Sequence, residues 1–359
     1  MTTAARQHLS ATVSTTLWGR LPCAEDAPVL TVDPGEQVSI DTVSHEGILE
    51  DQGRDPVAFF AGHGVPGHQV LADAIAIAAH GTHTPADGPH VVTGPIEVRG
   101  AAVGDYLAIQ VDELVPRTAY GVISSRHNKG LLPGVFPVGG PLTSIFCPVL
   151  DADDGVSAPQ AALPLTAGSA ERVVRFPIAP FLGLMGVATP GSARLHSTPP
   201  GEHGGNIDIS LLRAGSTLYL PVQVPGAGFY VGDPHFAQGN GEISLTALEA
   251  PLRATLTIDV IPRQRAAELF GDARGPIART ADLLVPTGLD TDLDEAVAKC
   301  ARNALELLRA SFGMDHELAY AYLSAATDFD ISQVVDVVKG VHARIRLSDF
   351  ARVEGRAWR

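Results

Sequence analysis

Positive charge is scarce in this chain: 25 lysines and arginines stand against 40 aspartates and glutamates, a formal net charge of −15. Phosphate binding needs a cationic face, so nucleic acid is excluded as a partner class and an anionic membrane surface is disfavoured. Cysteine is equally sparse. Cys23, Cys147 and Cys300 lie too far apart for a disulfide framework or a paired-cysteine zinc knot. Cys300 falls in the helical pattern DEAVAKCARNALELL and is expected to be a small buried side chain. No run approaches the about 18 consecutive apolar residues of a bilayer span. The segment MTTAARQHLSATVST holds no apolar core of signal-peptide length. A cytoplasmic enzyme is therefore expected.

Several catalytic signatures are also missing. Walker, HExxH and GxSxG patterns do not occur, and the GAGFYVG run is not a dinucleotide fingerprint, because no helical pattern follows it. A cysteine nucleophile would need an activated thiolate, and none of the three has a histidine or a lysine–glutamate pair in its sequence context.

What the chain does have is glycine and proline, 37 and 27 residues, against only 6% aromatics. That balance suits many short strands joined by tight turns. Strands are expected across 9–45, 91–115 and 171–261, with a short helix in QVLADAIAIAAH, an irregular loop over 118–140 and a surface connection over 155–170. Beyond residue 263 the periodicity turns helical in DLDEAVAKCARNALELLRASFG and DHELAYAYLSAATDF, with mixed strand and helix in ISQVVDVVKGVHARIRLS. The expected fold is mainly β, a sandwich or barrel-like core over residues 1–262, with a smaller α/β portion over 263–359.

Polar chemistry concentrates between Gly201 and Glu249, where GEHGGNIDIS and YVGDPHFAQGNGEISLTALE carry His203, Asn206, Asp208, Asp233, His235, Gln238, Glu242 and Glu249. Side chains alternate along a strand, so Asn206 and Asp208 would share one face, as would Asp233 and His235. Pro234 supports extended geometry at Asp233 by disfavouring the helical region there. Carboxylates and imidazoles on one face suit a divalent metal. Turn chemistry is the competing explanation for each residue taken singly, since aspartate and asparagine also bond their own backbone in turns.

The same stretch resembles the core signature of the acetamidase/formamidase family. VVTGPIEVRGAAVGDYLAIQVDEL, GLMGVATPG and AYAYLSAATDFDISQVVDVVKGVHARI resemble further family segments, in order, through most of the chain. The resemblance implies hydrolysis of short linear amides such as formamide and acetamide to the acid and ammonia. It also implies a bound divalent metal, a mainly β fold with jelly-roll character, and a homo-oligomer. In DTVSHEG the family pattern places a second acid where this chain has Ser44, so His45 is a candidate substitute ligand, with a Ser44–His45 turn as the alternative.

Asp233, His235 and His45, with Asp208 as a fourth, are thus the expected metal ligands, and zinc the expected ion, with calcium, magnesium or manganese open. Glu242 or Glu249 would move the proton, and Asn206 and Gln238 would hold the oxyanion. His203 would orient a ligand, and Lys129 is either an electrostatic helper or a solvated side chain. The histidines from His63 to His90 are expected in loop or subunit contacts; in the rival reading His80 and His83, on one helix face, form a second metal site or supply the metal centre from a neighbouring loop. A small-molecule amide is the expected substrate. Two alternatives stand beside it: an inactive binding member of the family, and a hydrolase of larger amides, ureas or cyclic amides.

Overall fold

The computed structural model describes residues 7–150, 158–167 and 172–353. Two β-sheets carry the fold. The first has nine strands in the order Gln7–Leu9, Glu36–Asp41, Leu252–Ile261, Tyr106–Pro116, Thr217–Pro221, Ile277–Arg279, Leu283–Asp290, Lys339–Arg346 and Asp328–Gln333. The second has eleven, with Tyr120–Arg126, Leu248–Glu249, Phe229–Ala237, Phe181–Gly186 and Gly204–Asn206 side by side. Val91–Val98 pairs with Phe229–Ala237 as a branch of this second sheet.

Strand Leu252–Ile261 shows how the sequence builds the sandwich. Leu252, Ala254, Leu256 and Ile258 alternate into the core at 0% exposure, while Arg253 and Asp259 face outward. Full burial of each larger side chain contributes about 1.5–3 kcal/mol. Ile96, Leu182, Met185, Phe229 and Phe236 of the second sheet meet them across the interior. The sheets pack face to face and stay open, so the sandwich expectation holds and the barrel one does not.

The C-terminal α/β portion continues the first sheet: Thr217–Pro221 pairs with Ile277–Arg279, and the pairing runs on through Leu283–Asp290 and Lys339–Arg346. Helix Leu293–Phe312 covers this end. Asp292 caps it by accepting from the Asp294 and Glu295 amides, and left-handed Gly313 ends it. It lies so close that a Cβ on Gly288 would meet main-chain atoms of Ala296 and Cys300. Cys300 is fully buried there, its thiol donating to the Pro286 carbonyl at 3.3 Å, and burial pushes its pKa up.

Three expectations need correction. Residues 120–126 are a strand, not loop: Tyr120 and Val122 pack beneath Phe60, and only 127–141 is irregular. Gln160–Pro164 is a strand paired with Val173–Pro177 inside the expected surface connection, whose residues 155–157 and 168–170 lie outside the described residues. His80 ends helix Ala72–His80, so His83 falls beyond it and shares no helix face with His80. His83 instead stacks on Trp18 and bonds Glu50 at 3.0 Å. Among the described residues, no helix is long and apolar enough to cross a membrane.

Candidate metal centre

Strand Phe229–Ala237 positions the site through one irregular residue. Upstream, Phe229 and Val231 point into the core; downstream, Phe236 does. The parity changes because Asp233 adopts a left-handed conformation, φ 49°, instead of the extended one expected before Pro234. Aspartate tolerates that region better than most side chains. The switch turns both Asp233 and His235 away from the core, so they share a face, although not by plain alternation. Asp208 is also left-handed, φ 49°, which ends the extended run after Asn206. Asn206 and Asp208 therefore take different environments.

Neighbouring strands complete the cluster. Glu249 stands opposite His235 in the antiparallel ladder, and Gly183 lies between Leu182 and Leu184, which pair with Pro234 and Gly232. His45 arrives from the turn after Glu36–Asp41, and His90 from the residue before Val91–Val98. His235 Nε2 lies 3.0 Å from Asp233 Oδ2 and 3.1 Å from Glu249 Oε1, and Nδ1 lies 3.9 Å from Asp208 Oδ1. The other side of the cluster has His45 Nδ1 at 3.7 Å and His90 Nε2 at 3.7 Å from Asp233 Oδ1. Three overlapping triads bring their ligand atoms within 4.8 Å of one another: His45–His90–Asp233, Asp233–His235–Glu249 and Asp208–His235–Glu242.

These atoms converge at ion-pair distance without aligned hydrogen bonds between them. Both Asp208 oxygens, Asp233 Oδ1, both His235 nitrogens and Glu249 Oε2 are buried with no aligned hydrogen-bond partner, despite the short separations at His235. Each such orphan carries a desolvation penalty of about 1–3 kcal/mol, more if charged. Carboxylate and imidazole donors left without partners in this way fit a divalent metal. The surroundings aim the imidazoles accordingly. His90 Nδ1 is 3.0 Å from the Ser197 hydroxyl, leaving Nε2 toward Asp233. Glu46 faces His45 Nε2 at 3.4 Å, and is itself held by the Ser124 hydroxyl at 2.5 Å and by Gln52. A carboxylate behind a histidine fixes the ring and raises its basicity.

The electrostatics match a site that wants positive charge. Burial lowers His90 to about 4, so its imidazole is neutral, as ligation requires. Burial works against His45 and His235 too, but Glu46 outweighs it at His45, and Glu249 and Asp233 at His235, so both are raised. Burial raises Asp208, Glu242, Glu249 and Asp336, reinforced by repulsion from nearby carboxylates, Asp233 in every case; Glu249 reaches about 7 and Asp336 about 8. Burial also opposes the Asp233 charge, but His235, His90 and His45 hold its pKa well below the carboxylate range.

A cavity of about 760 Å³ opens over this floor. Its wall includes His45, His90, Asp233 and Glu249, together with Asn206, Glu242 and Asp336. Lys129 also lines it, near the mouth with Arg126 and Asn128. Glu242 is left-handed, φ 47°, in a turn pinned to the C-terminal hairpin by Gly241 N to Ser332 O and Val334 N to Gly241 O. That hairpin delivers Asp336. Asn206 lines the cavity and donates Nδ2 to Asp336 Oδ2 at 2.9 Å, so it positions that carboxylate. Gln238 donates to the Asp208 and Ser332 carbonyls at 3.0 and 3.1 Å and does not line the cavity, so it braces main chain. His203 packs against Gly201 and Gly205, away from the cavity wall.

His90, Glu46 and Asp336 were missed by sequence reasoning. Asp336 carried a signal, as a lone acid inside the run Val334, Val335, Val337, Val338. Gly183 shows how tightly the cluster is drawn: a Cβ there would meet Asp208 Oδ1, His235 Cε1 at 2.6 Å and Asp233 Oδ2 at 2.8 Å. Gly183→Ala is expected to lower metal affinity by about 10–100-fold, read by elemental analysis at limiting metal. Unchanged affinity would show that the cluster has slack.

Residues 189–347 match the model of the Acetamidase/Formamidase family. A formamidase of Methylophilus methylotrophus is 34% identical over 158 residues, which cover 39% of this chain and 38% of that protein. An acetamidase of Mycolicibacterium smegmatis is 26% identical over 299 residues, 66% of this chain and 73% of that protein. The crystal structure of an acetamidase from Bacillus halodurans shares the fold, with a TM-score of 0.73 at 23% identity over 97% of this chain and 99% of that one. The chain spans less than half the length of the first curated relatives it matches. The match to the acetamidase/formamidase family model thus falls on residues 189–347, and the fold of an acetamidase is shared along nearly the whole chain.

Proposed function

We propose that this protein hydrolyses the carbon–nitrogen bond of short linear amides, releasing ammonia and the carboxylic acid, at a divalent-metal centre. The supporting observation is the set of buried, unpartnered donor atoms on Asp208, Asp233, His235 and Glu249, of which Asp233 and Glu249 line the cavity. His45, His90 and Asp233, with Glu249 beside them, would hold the ion; this nitrogen-rich set suits zinc. When bound, such an ion polarises an amide carbonyl and acidifies water toward a pKa of ~7.

The protein's own groups do the rest. Glu46 and Ser197 hold the two imidazoles in orientation. Asp336, fastened by Asn206 at the cavity wall, takes the proton from water and returns it to the leaving nitrogen, with Glu242 across from it as the other candidate. Formamidase and acetamidase are the names of the relatives, and the simplest substrates follow from them.

The cavity volume favours a second reading. About 760 Å³ lies in the range of pockets for drug-sized ligands and far exceeds what formamide fills. A larger or cyclic amide, or a urea, would use that space. The test is ammonia release across formamide, acetamide and bulkier amides, with metal content measured before and after chelation. Turnover should vanish with the metal and return with zinc, and the order of kcat/KM across the panel selects the substrate class. Full turnover by metal-free protein would overturn the proposal. Metal binding without turnover of any amide would leave a binding protein.

A further inference from the structure

Part of the cavity wall is apolar, and two of its residues are held against their backbone preference. Leu245 sits at φ 112° and Val337 at φ 68°. Positive φ is uncommon outside glycine, and for a bulky or β-branched side chain it marks an outlier. Local bonds enforce both. Leu245 N–H donates to the Glu242 carbonyl at 3.2 Å. Val338 N–H donates to the Asp336 carbonyl at 2.7 Å, closing about Val337 the rare, strained form of a γ-turn. Gln333, 0% exposed, clamps the same loop: its Oε1 accepts from the Val335 and Asp336 amides, and its Nε2 donates to the Val338 carbonyl. Glycine would fit either position without strain. The chain has leucine and valine there instead, and both line the cavity, Val337 at 65% exposure. Strain kept at a cavity wall points to a use for the side chains.

We propose that Leu245 and Val337, with Leu49 and Val335 beside them in the wall, seat the acyl group of the substrate. The substrate class is then a primary amide with a bulky, branched or cyclic hydrocarbon acyl group. The inference rests on the amide-hydrolase reading above and names what fills its cavity. Placement supports it first: Leu245 shares a turn with Glu242, and Val337 follows Asp336 directly, so both are fixed next to carboxylates of the same wall. Charge supports it next. The charged groups elsewhere on the wall are engaged, Arg126 with Asp51, His83 with Glu50, Asp87 with Arg20, and Lys339 with the Thr291 carbonyl. Lys129, exposed at the mouth, is the rival contact, and it would select a carboxylate-bearing amide instead. Exposure completes the case: an exposed valine in a cavity of about 760 Å³ gains by covering hydrocarbon, which formamide does not offer.

Selectivity across acyl groups tests this. With the full-length, zinc-loaded chain, kcat/KM should rise from formamide and acetamide through isovaleramide to cyclohexanecarboxamide. In Val337→Gly the ratio of cyclohexanecarboxamide to acetamide should fall about 10–200-fold, the range for small changes of fit in an apolar pocket. Its melting temperature should hold or rise, because glycine relieves the strained φ. Val337→Asn suits the same backbone region and keeps most of the bulk, so a matching fall there assigns the effect to apolar contact. Three results would overturn the seat and leave hydrolysis standing: wild-type kcat/KM that declines with acyl size, a uniform loss across the panel in both variants, or a preference for succinamic acid. If no amide is turned over, the hydrolysis reading falls, and the melting-temperature shift given by cyclohexanecarboxamide decides the seat alone. A larger shift in the wild type than in Val337→Gly sustains it; equal shifts overturn it.

Discussion

Asp233→Asn is expected to remove bound metal and lower kcat/KM for any amide substrate by about a thousandfold or more, since a metal supplies several kcal/mol of barrier lowering. Asparagine is the informative replacement. Residue 233 sits at φ 49°, where alanine would add backbone strain of roughly 1–2 kcal/mol while asparagine is tolerated. Shape and backbone are then kept, and what disappears is the charge that three imidazoles face. The stability readout separates a ligand from a brace. Metal bound only to the native state adds RT ln(1 + [M]/Kd), so the wild-type melting temperature should drop on chelation. The variant should melt at one temperature with or without chelator, near that of the stripped wild type. A variant that keeps metal and turnover would show that Asp233 is only a strand-end turn residue.

Much of the fold was legible because local signals agreed. Helix Leu293–Phe312 announced itself through period, an aspartate cap and a terminal glycine, and the alternation of Leu252–Ile261 reads directly as a strand with one buried face. Pairing order was not legible. That Thr217–Pro221 joins Ile277–Arg279, carrying one sheet from the sandwich into the C-terminal portion, depends on contacts no local pattern encodes. Tyr120–Arg126 escaped because Gly121, Ser124 and Ser125 dilute its apolar alternation beside a glycine-rich loop.

The site divides in the same way. Asp233, His235, Glu242 and Glu249 stood out because buried-strand sequence rarely carries so many ionisable groups, and the fold does gather them. His90 and Asp336 could not be placed, since each reaches the cluster from a distant strand end. His90 was also hidden among neighbours that do other work, such as His83 on Trp18 and His63 on Phe146. The partners of the two amides were not legible either. Asn206 donates to Asp336 and Gln238 to two main-chain carbonyls, pairings that no local pattern encodes.

Asp336→Asn should cut kcat by about 10²–10⁴ at unchanged metal content, the range for losing a positioned acid–base group. The residue is held at two points: Asn206 Nδ2 donates to the Asp336 carboxylate Oδ2 at 2.9 Å, and the Asp336 main-chain N–H donates to Gln333 Oε1 at 3.1 Å. Asparagine keeps an oxygen for the first contact and leaves the second untouched, so the hairpin should stay in place. What it cannot do is accept and return a proton. KM should therefore move far less than kcat, because a group that acts only in proton transfer adds little to ground-state binding. Glu242→Gln supplies the contrast, losing metal together with activity if Glu242 ligates. If Asp336→Asn lost metal in parallel with kcat, Asp336 would belong among the ligands; if it turned over at the wild-type rate, Glu242 would take the proton-transfer role.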